Sequence, residues 1–184
     1  MKILVISASP RRGGNCDAAA GRCVEQLGDA GQVELLRISD HDIRHCLGCR
    51  KCMKLMRCAI RGDDFDRLFE QCKQADVLVI VSPVYWLSPP GAMKDFIDRT
   101  HGAYGQRAKS FDGKKAAIVG VATESGFDTH EAILTTWLSH YGATVVAKVR
   151  LLAREAGDLA NSPAELGKLD AFIRRLRPKL SEPA

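Results

Sequence analysis

A doubly wound α/β sandwich is the fold class that the sequence predicts, and three features predict it. Short apolar runs rich in β-branched residues recur along the chain. They are nearly continuous in hydrophobicity, which is how parallel strands buried on both faces read. Segments with helical spacing of apolar residues fall between them, so that strand and helix alternate. At 184 residues the chain has room for one such domain, given a usual size of roughly 100–200 residues. Right-handed crossovers then place helices on both faces of a five-stranded parallel sheet, in three layers.

The elements follow in order. Lys2 to Ile6 is the first strand, and the helix after it spans Cys16 to Leu27, starting near Asn15. Val33 to Leu36 is the second strand, followed by a helix over Phe65 to Cys72. Val77 to Val81 is the third strand, followed by a helix over Met93 to Ile97. Lys115 to Val121 and Thr144 to Val149 complete the sheet, with a helix over Ala132 to Leu138 between them. A last amphipathic helix over Pro163 to Leu176 has Ser162 as its cap and Pro163 in its first turn. The tail LRPKLSEPA is expected to fray, and no repeat or linker divides residues 1 to 184 into more than one domain.

Composition narrows the function classes. A formal charge of +5, with no basic stripe interleaved with aromatics, argues against a nucleic-acid partner. No apolar run approaches the ~18–20 residues of a membrane span, so no membrane partner is expected. Residues 1 to 7 lack a basic stretch, an apolar stretch and a small-residue cleavage site, and are expected to be a strand of a cytoplasmic protein. Reduced thiols are the rule in that compartment. Of the seven cysteines, the four clustered between positions 46 and 58 therefore point to metal or redox use.

In such sheets ligands sit beyond the carboxyl ends of the strands, near the point where strand order reverses. The first strand runs into "SASPRRGGNC", residues 7 to 16, and then into a helix whose unpaired N–H groups face the loop. Hydroxyls of Ser7 and Ser9, Arg11 or Arg12, and the Asn15 amide add donors. Gly13 and Gly14 let the backbone curl around a phosphate. The alternative is a solvated turn with Asn15 as an ordinary helix cap. Neither the G-x-x-x-x-G-K-[ST] nor the G-x-G-x-x-G pattern is present, which removes the nucleoside-triphosphate and dinucleotide readings. The third strand ends in "SPVYWLSPPG", where Tyr85 and Trp86 offer aromatic surface to a planar group or, alternatively, to a helix or subunit. The fourth ends in "ATESGF", a polar turn able to meet the rim of a heterocycle.

"SASPRRGGN" and "SPVYWLSPPGAMKDFIDR", residues 82 to 99, resemble the flavodoxin-like NAD(P)H-dependent FMN reductase superfamily. The resemblance implies strand order 2-1-3-4-5, FMN as cofactor and a homodimer or homotetramer. It implies that Ser7, Ser9, Pro10, Arg11, Asn15 and Cys16 surround the FMN phosphate. Pro83, Val84, Tyr85 and Trp86 would line the ribityl chain and isoalloxazine, and Thr123, Glu124, Ser125 and Gly126 would meet the pyrimidine edge. Cys16 stands where the family usually has threonine or serine. Its thiol is a weaker donor than the hydroxyl it replaces. Lys94, Asp98 and Arg99 are expected at the helix surface or in subunit contacts.

"CLGCRKCMKLMRC" places Cys46, Cys49, Cys52 and Cys58 at C-x2-C-x2-C-x5-C spacing, in a loop of about residues 45 to 62 inserted after the second strand. Consecutive x2 steps suit a [4Fe–4S] cluster better than zinc, which more often takes two separated pairs. An interface loop with empty thiols is the remaining alternative. With "DD" at Asp63 and Asp64 the segment looks like the iron–sulfur flavoproteins. Arg50, Lys51, Lys54, Arg57 and Arg61 would stabilise a net-negative cluster and steer an acidic carrier such as a ferredoxin toward it. Cys23 and Cys72 fall on apolar helix positions and are expected in the core, and none of the five histidines is given a role.

These features together lead to an FMN-dependent oxidoreductase that passes electrons between FMN and a [4Fe–4S] cluster or an external carrier, with NAD(P)H as a candidate donor. The rival readings are a cluster-free NAD(P)H-dependent FMN or quinone reductase, and a flavodoxin-like carrier or redox sensor without turnover. Replacing Arg11 and Asn15 together by alanine is expected to weaken FMN retention and leave any cluster in place. Unchanged FMN affinity in equilibrium titration would put the phosphate elsewhere.

Overall fold

In the computed structural model, which describes residues 1–106 and 108–181 apart from the side chain of residue 181, the apolar runs form one sheet. Its strands are β1 (Lys2–Ser7), β2 (Gln32–Arg37), β3 (Val77–Pro83), β4 (Lys115–Ala122) and β5 (Thr144–Leu152). All pairings are parallel, in the order β2-β1-β3-β4-β5. The helices are α1 (Asn15–Leu27), the short α2 (Cys52–Leu55), α3 (Phe65–Gln74), α4 (Gly91–Arg99), α5 (Phe127–His140) and α6 (Pro163–Ser181).

The period-2 alternation of side chains sorts the core into two halves. Ile3, Val5, Val79 and Val119 share one buried cluster with Ala19, Cys23 and Leu27 of α1 and with Phe172 and Ile173 of α6. Leu4, Ile6, Ile80 and Ile118 share the other with Leu68 and Phe69 of α3, Phe96 of α4 and Trp137 of α5. The helices therefore form the two outer layers. Cys23 and Cys72 lie fully buried within these clusters, where burial pushes each thiol up to about 12. The three inner strands are covered on both faces, whereas β2 and β5 are edges with several exposed positions. Their apolar runs were shorter than the strands themselves for that reason.

Two helices differ from expectation. α5 begins at Phe127, well before the predicted Ala132, because Gly126 at φ +90 turns the chain and Phe127, His130 and Glu131 bury themselves ahead of the regular apolar spacing. α6 does not fray at Leu176 but continues through Pro178 to Ser181, held by burial of Leu180 against the core. Residues 182–184 of the predicted tail lie outside the described residues.

His130, given no role from the sequence, is fully buried beneath the exit of β3. The Ser82 hydroxyl donates to the Pro83 carbonyl at 3.1 Å. Its oxygen therefore accepts from His130 Nε2, 2.9 Å away, which assigns the proton to Nε2. Nδ1 is buried without a partner among the described residues. Burial holds the imidazole down to about 4, despite the opposing pull of the Glu131 carboxylate. An unfolded chain takes up the proton near pH 6.5 and the folded one only near 4, so stability is complete above 6.5 and falls as pH drops through that window. The loss amounts to about 3 kcal/mol. Urea unfolding at pH 7 and pH 4.5 is expected to show this loss, and His130→Gln to flatten it. An unchanged slope in the variant would assign the loss to other groups.

Candidate functional site

Strand order reverses between β1 and β3, and the chain leaves each of them into a loop at the same sheet edge. Beyond β1, no side chain caps α1. Gly14 is its N-cap, with its carbonyl accepting from Ala18 N at 3.1 Å. The N–H groups of Asn15, Cys16 and Asp17 in the first turn have no intrahelical partner. The Ser9 hydroxyl accepts from Arg11 N at 3.1 Å and curls the loop back. The Ser7 hydroxyl beneath it is buried without a partner among the described residues. Arg12 pairs with Asp40 at 2.9 Å, away from the cleft, while Arg11 lines the cleft.

The cleft has a volume of about 110 Å³. Ser9, Arg11, Asn15 and Cys16 reach it from the first loop, Pro83, Val84 and Tyr85 from the second, and Thr123 from the third. Ser7, Pro10, Trp86, Glu124, Ser125 and Gly126 do not form its wall. The missing side comes from the exit of β5, through Ala153, Arg154 and Ala156. The sequence reading overlooked this contribution, although the carboxyl-end rule applies to β5 as well.

Asn15 does not direct its side chain solely at the cleft. Its Nδ2 donates to the Glu155 carbonyl at 2.9 Å and its Oδ1 accepts from Leu159 N at 3.1 Å, so it ties the β5 exit to the start of α1. Cys16 packs into the core as well as against the cleft. Burial first, and the Asp17 charge second, push its thiol up to about 12 against the Ser9 hydrogen bond and the Arg11 charge, so it remains a neutral thiol.

The aromatic turn is tight. Tyr85 N donates to the Ser88 carbonyl at 2.9 Å and Ser88 N to the Tyr85 carbonyl at 3.0 Å, with Trp86 and Leu87 between them at φ 49 and 62. Left-handed backbone is costly for large side chains. The turn leaves Trp86 98% exposed, so the alternative of packing against a neighbouring helix is not realised within this chain. Gly126 permits the adjacent turn to approach. A Cβ there would lie 2.8 Å from Leu87 Cδ2 and 3.0 Å from Val84 Cγ1.

Cys46, Cys49, Cys52 and Cys58 line a separate cavity of about 480 Å³. Among the described residues, no three histidine, cysteine or acidic side chains are close enough together to hold a metal ion. The donor set nevertheless has the chemistry of an iron–sulfur site, and thiols have no mutual attraction until metal draws them together.

Arg99 corrects the expectation of a surface or subunit contact. It is fully buried against Asp63, with Nη1–Oδ2 at 2.6 Å and Nη2–Oδ1 at 3.2 Å, and its Nε donates to Cys58 Sγ at 2.9 Å. Burial alone would raise the Asp63 carboxyl. Hydrogen bonds from Arg99 and Arg44 N, and the Arg99 charge, hold it below the usual carboxylate range instead. Gly102 lets the chain pass closely here, since a Cβ would overlap the Arg57 and Cys58 backbone.

A parallel 2-1-3-4-5 sheet, with an uncapped helix start and an aromatic turn beside a cleft at its switch point, defines a flavodoxin-like fold. The chain belongs to the NADPH-dependent FMN reductase family, whose sequence profile matches residues 1–158. It is 37% identical to an iron-sulfur flavoprotein of Archaeoglobus fulgidus over 100 residues, which cover 54% of this chain and 45% of that protein. It is 30% identical to an iron-sulfur flavoprotein of Methanosarcina thermophila over 151 residues, 79% of this chain and 77% of that one. Its fold matches an NAD(P)H:quinone oxidoreductase from Methanothermobacter marburgensis with a TM-score of 0.76 and 20% identity, over 100% of this chain and 98% of that chain.

Removing one partner of a buried ion pair leaves the other charge uncompensated, which typically costs about 3–5 kcal/mol. Arg99→Ala is expected to lose that much in urea unfolding at neutral pH. A loss below about 1 kcal/mol would reduce the pair to the worth of a surface bridge.

Proposed function

We propose that this chain is an FMN-dependent oxidoreductase whose cysteine segment holds a [4Fe–4S] cluster. The observation that carries the flavin reading is the convergence at one sheet edge of an uncapped helix start, Arg11 turned into the cleft, and the exits of β3 and β4. The buried Ser7 hydroxyl beneath the loop, without a partner among the described residues, adds a spare hydrogen-bonding group. Ser9, Arg11, Asn15 and Cys16, which line the cleft, form the phosphate end with the first-turn amides of α1 as donors, and Ser7 and Pro10 support the loop from behind that wall. A cleft of about 110 Å³ encloses a phosphate and leaves a large ring outside, beside Pro83 to Trp86 and the turn from Thr123 to Gly126.

FMN, when bound, supplies hydride acceptance and single-electron release. The residues of this chain supply orientation and charge: Arg11 sets a cation against the phosphate, Asn15 holds the β5 exit in place, and Tyr85 borders the cleft. Cys46, Cys49, Cys52 and Cys58 would ligate the cluster, with the Arg99 N–H stabilising sulfur charge on Cys58. Exposed Arg50, Lys51, Lys54 and Arg57 beside them suit an acidic ferredoxin-like carrier, and NAD(P)H is the small-molecule donor that the family name points to. An apolar groove of about 570 Å³, bordered by Ile97, Tyr104 and Ile133, supports assembly as a homodimer or homotetramer.

The second reading, a cluster-free reductase, is favoured by the spacing of the cysteine side chains. Anaerobic purification with flavin, iron and sulfide counts separates the two. The cluster reading expects one FMN with about four iron and four sulfide per chain. Flavin without iron would establish the cluster-free reading, and iron without flavin would overturn the cleft assignment.

A further inference from the structure

The loop after β1 is braced from outside the cleft by residues that neither the motif nor the family match singles out. Asp17, in the first turn of α1, accepts from Gly13 N through Oδ2 at 2.7 Å. Gly13 lies at φ +68, a left-handed conformation that glycine adopts without strain. The bond therefore holds the loop residue that takes the left-handed conformation. Through Oδ1 the same carboxylate pairs with Arg37 at the end of β2. Two further ties come from the next residues: Ser39 Oγ donates to the Ser9 carbonyl at 3.0 Å, and Asp40 pairs with Arg12 at 2.9 Å.

An acidic residue beside an anion site needs explanation. Asp17 also places negative charge at a helix start, where it competes with any bound anion for the positive end of the dipole. The Asp17 side chain is nearly buried, so little solvent screens it, and Arg37 is its charge partner. Without Arg37 the carboxylate would oppose a phosphate; with Arg37 it can brace Gly13 at little electrostatic cost.

We propose that Asp17 and Arg37 are a positioning pair that presets the first loop for a phosphate monoester and makes the site prefer FMN to riboflavin. This rests on the flavin reading above. Asp17 acts through Gly13 and Arg37 through Asp17, so neither needs to touch the ligand.

The test titrates deflavinated protein with FMN and, separately, with riboflavin, which has the same ring and chain without the phosphate. Asp17→Ala is expected to weaken FMN binding about tenfold, the scale of one charge-assisted hydrogen bond. Riboflavin binding should be unchanged. Arg37→Gln should weaken FMN in the same selective way, and more so at low salt. Adding Asp17→Asn, which keeps an acceptor for Gly13 N and removes the charge, should restore FMN affinity to within about twofold of the starting protein. A purely structural role predicts parallel losses for both ligands and no rescue, and either result overturns the proposal. Unchanged FMN affinity in Asp17→Ala also overturns it. If the unaltered protein binds FMN no better than riboflavin, the phosphate site itself fails, which is a separate result from failure of the brace.

Discussion

The buried contact between Arg99 and Asp63 is the constraint on which the cysteine segment depends. A guanidinium and a carboxylate removed from water incur a large desolvation cost, offset only when their hydrogen-bonding capacity is filled. It is filled here. Besides the two bonds to Asp63, Arg99 donates to the Arg44 and Ile60 carbonyls at 2.8 and 3.4 Å and to the Cys58 sulfur at 2.9 Å, and its guanidinium lies over the Phe65 ring at 4.6 Å. Asp63 in turn accepts from Arg44 N at 3.1 Å. One side chain at the end of α4 thereby gathers both ends of the insertion, and Gly102 lets the backbone of Arg57 and Cys58 pass close by.

That helix also links the two candidate centres along the chain. α4 begins at Gly91, just after the turn that carries Tyr85 and Trp86, and ends at Arg99 beneath the cysteines. The cleft beyond β1 and β3 is held on its other side by Asn15, which joins α1 to the β5 exit. Each cavity is therefore lined in part by a residue, Asn15 or Arg99, that also ties neighbouring segments together through paired hydrogen bonds. Rigid support of this kind keeps a loop-built site in place without ordering costs at the moment of binding.

The strands and their order along the chain were legible because burial on both faces demands nearly continuous apolar runs, as in Val77 to Val81. The exit from β1 into α1 was legible because serine, proline and glycine break an apolar run and favour a turn. Trp86 was only half legible. Its aromatic character is plain, but the reciprocal bonds of Tyr85 and Ser88 force a left-handed turn that sends it to solvent. The wall from Ala153, Arg154 and Ala156 was missed because the sequence reading followed only the exits of the first, third and fourth strands, and no motif marks the exit of β5.

Local pattern thus determined the strands, the alternation with helices, the turn after β1 and the cysteine spacing, since each depends on neighbours close in sequence. Tertiary structure decided what the charges do. An arginine in the last turn of a helix reads equally well as a surface cation or a buried anchor. Only the approach of Asp63, 36 residues away in sequence, makes Arg99 the latter. Likewise only the register of β2 against β1, with Ser7 opposite Arg37, carries Arg37 to the carboxylate that steadies the first loop.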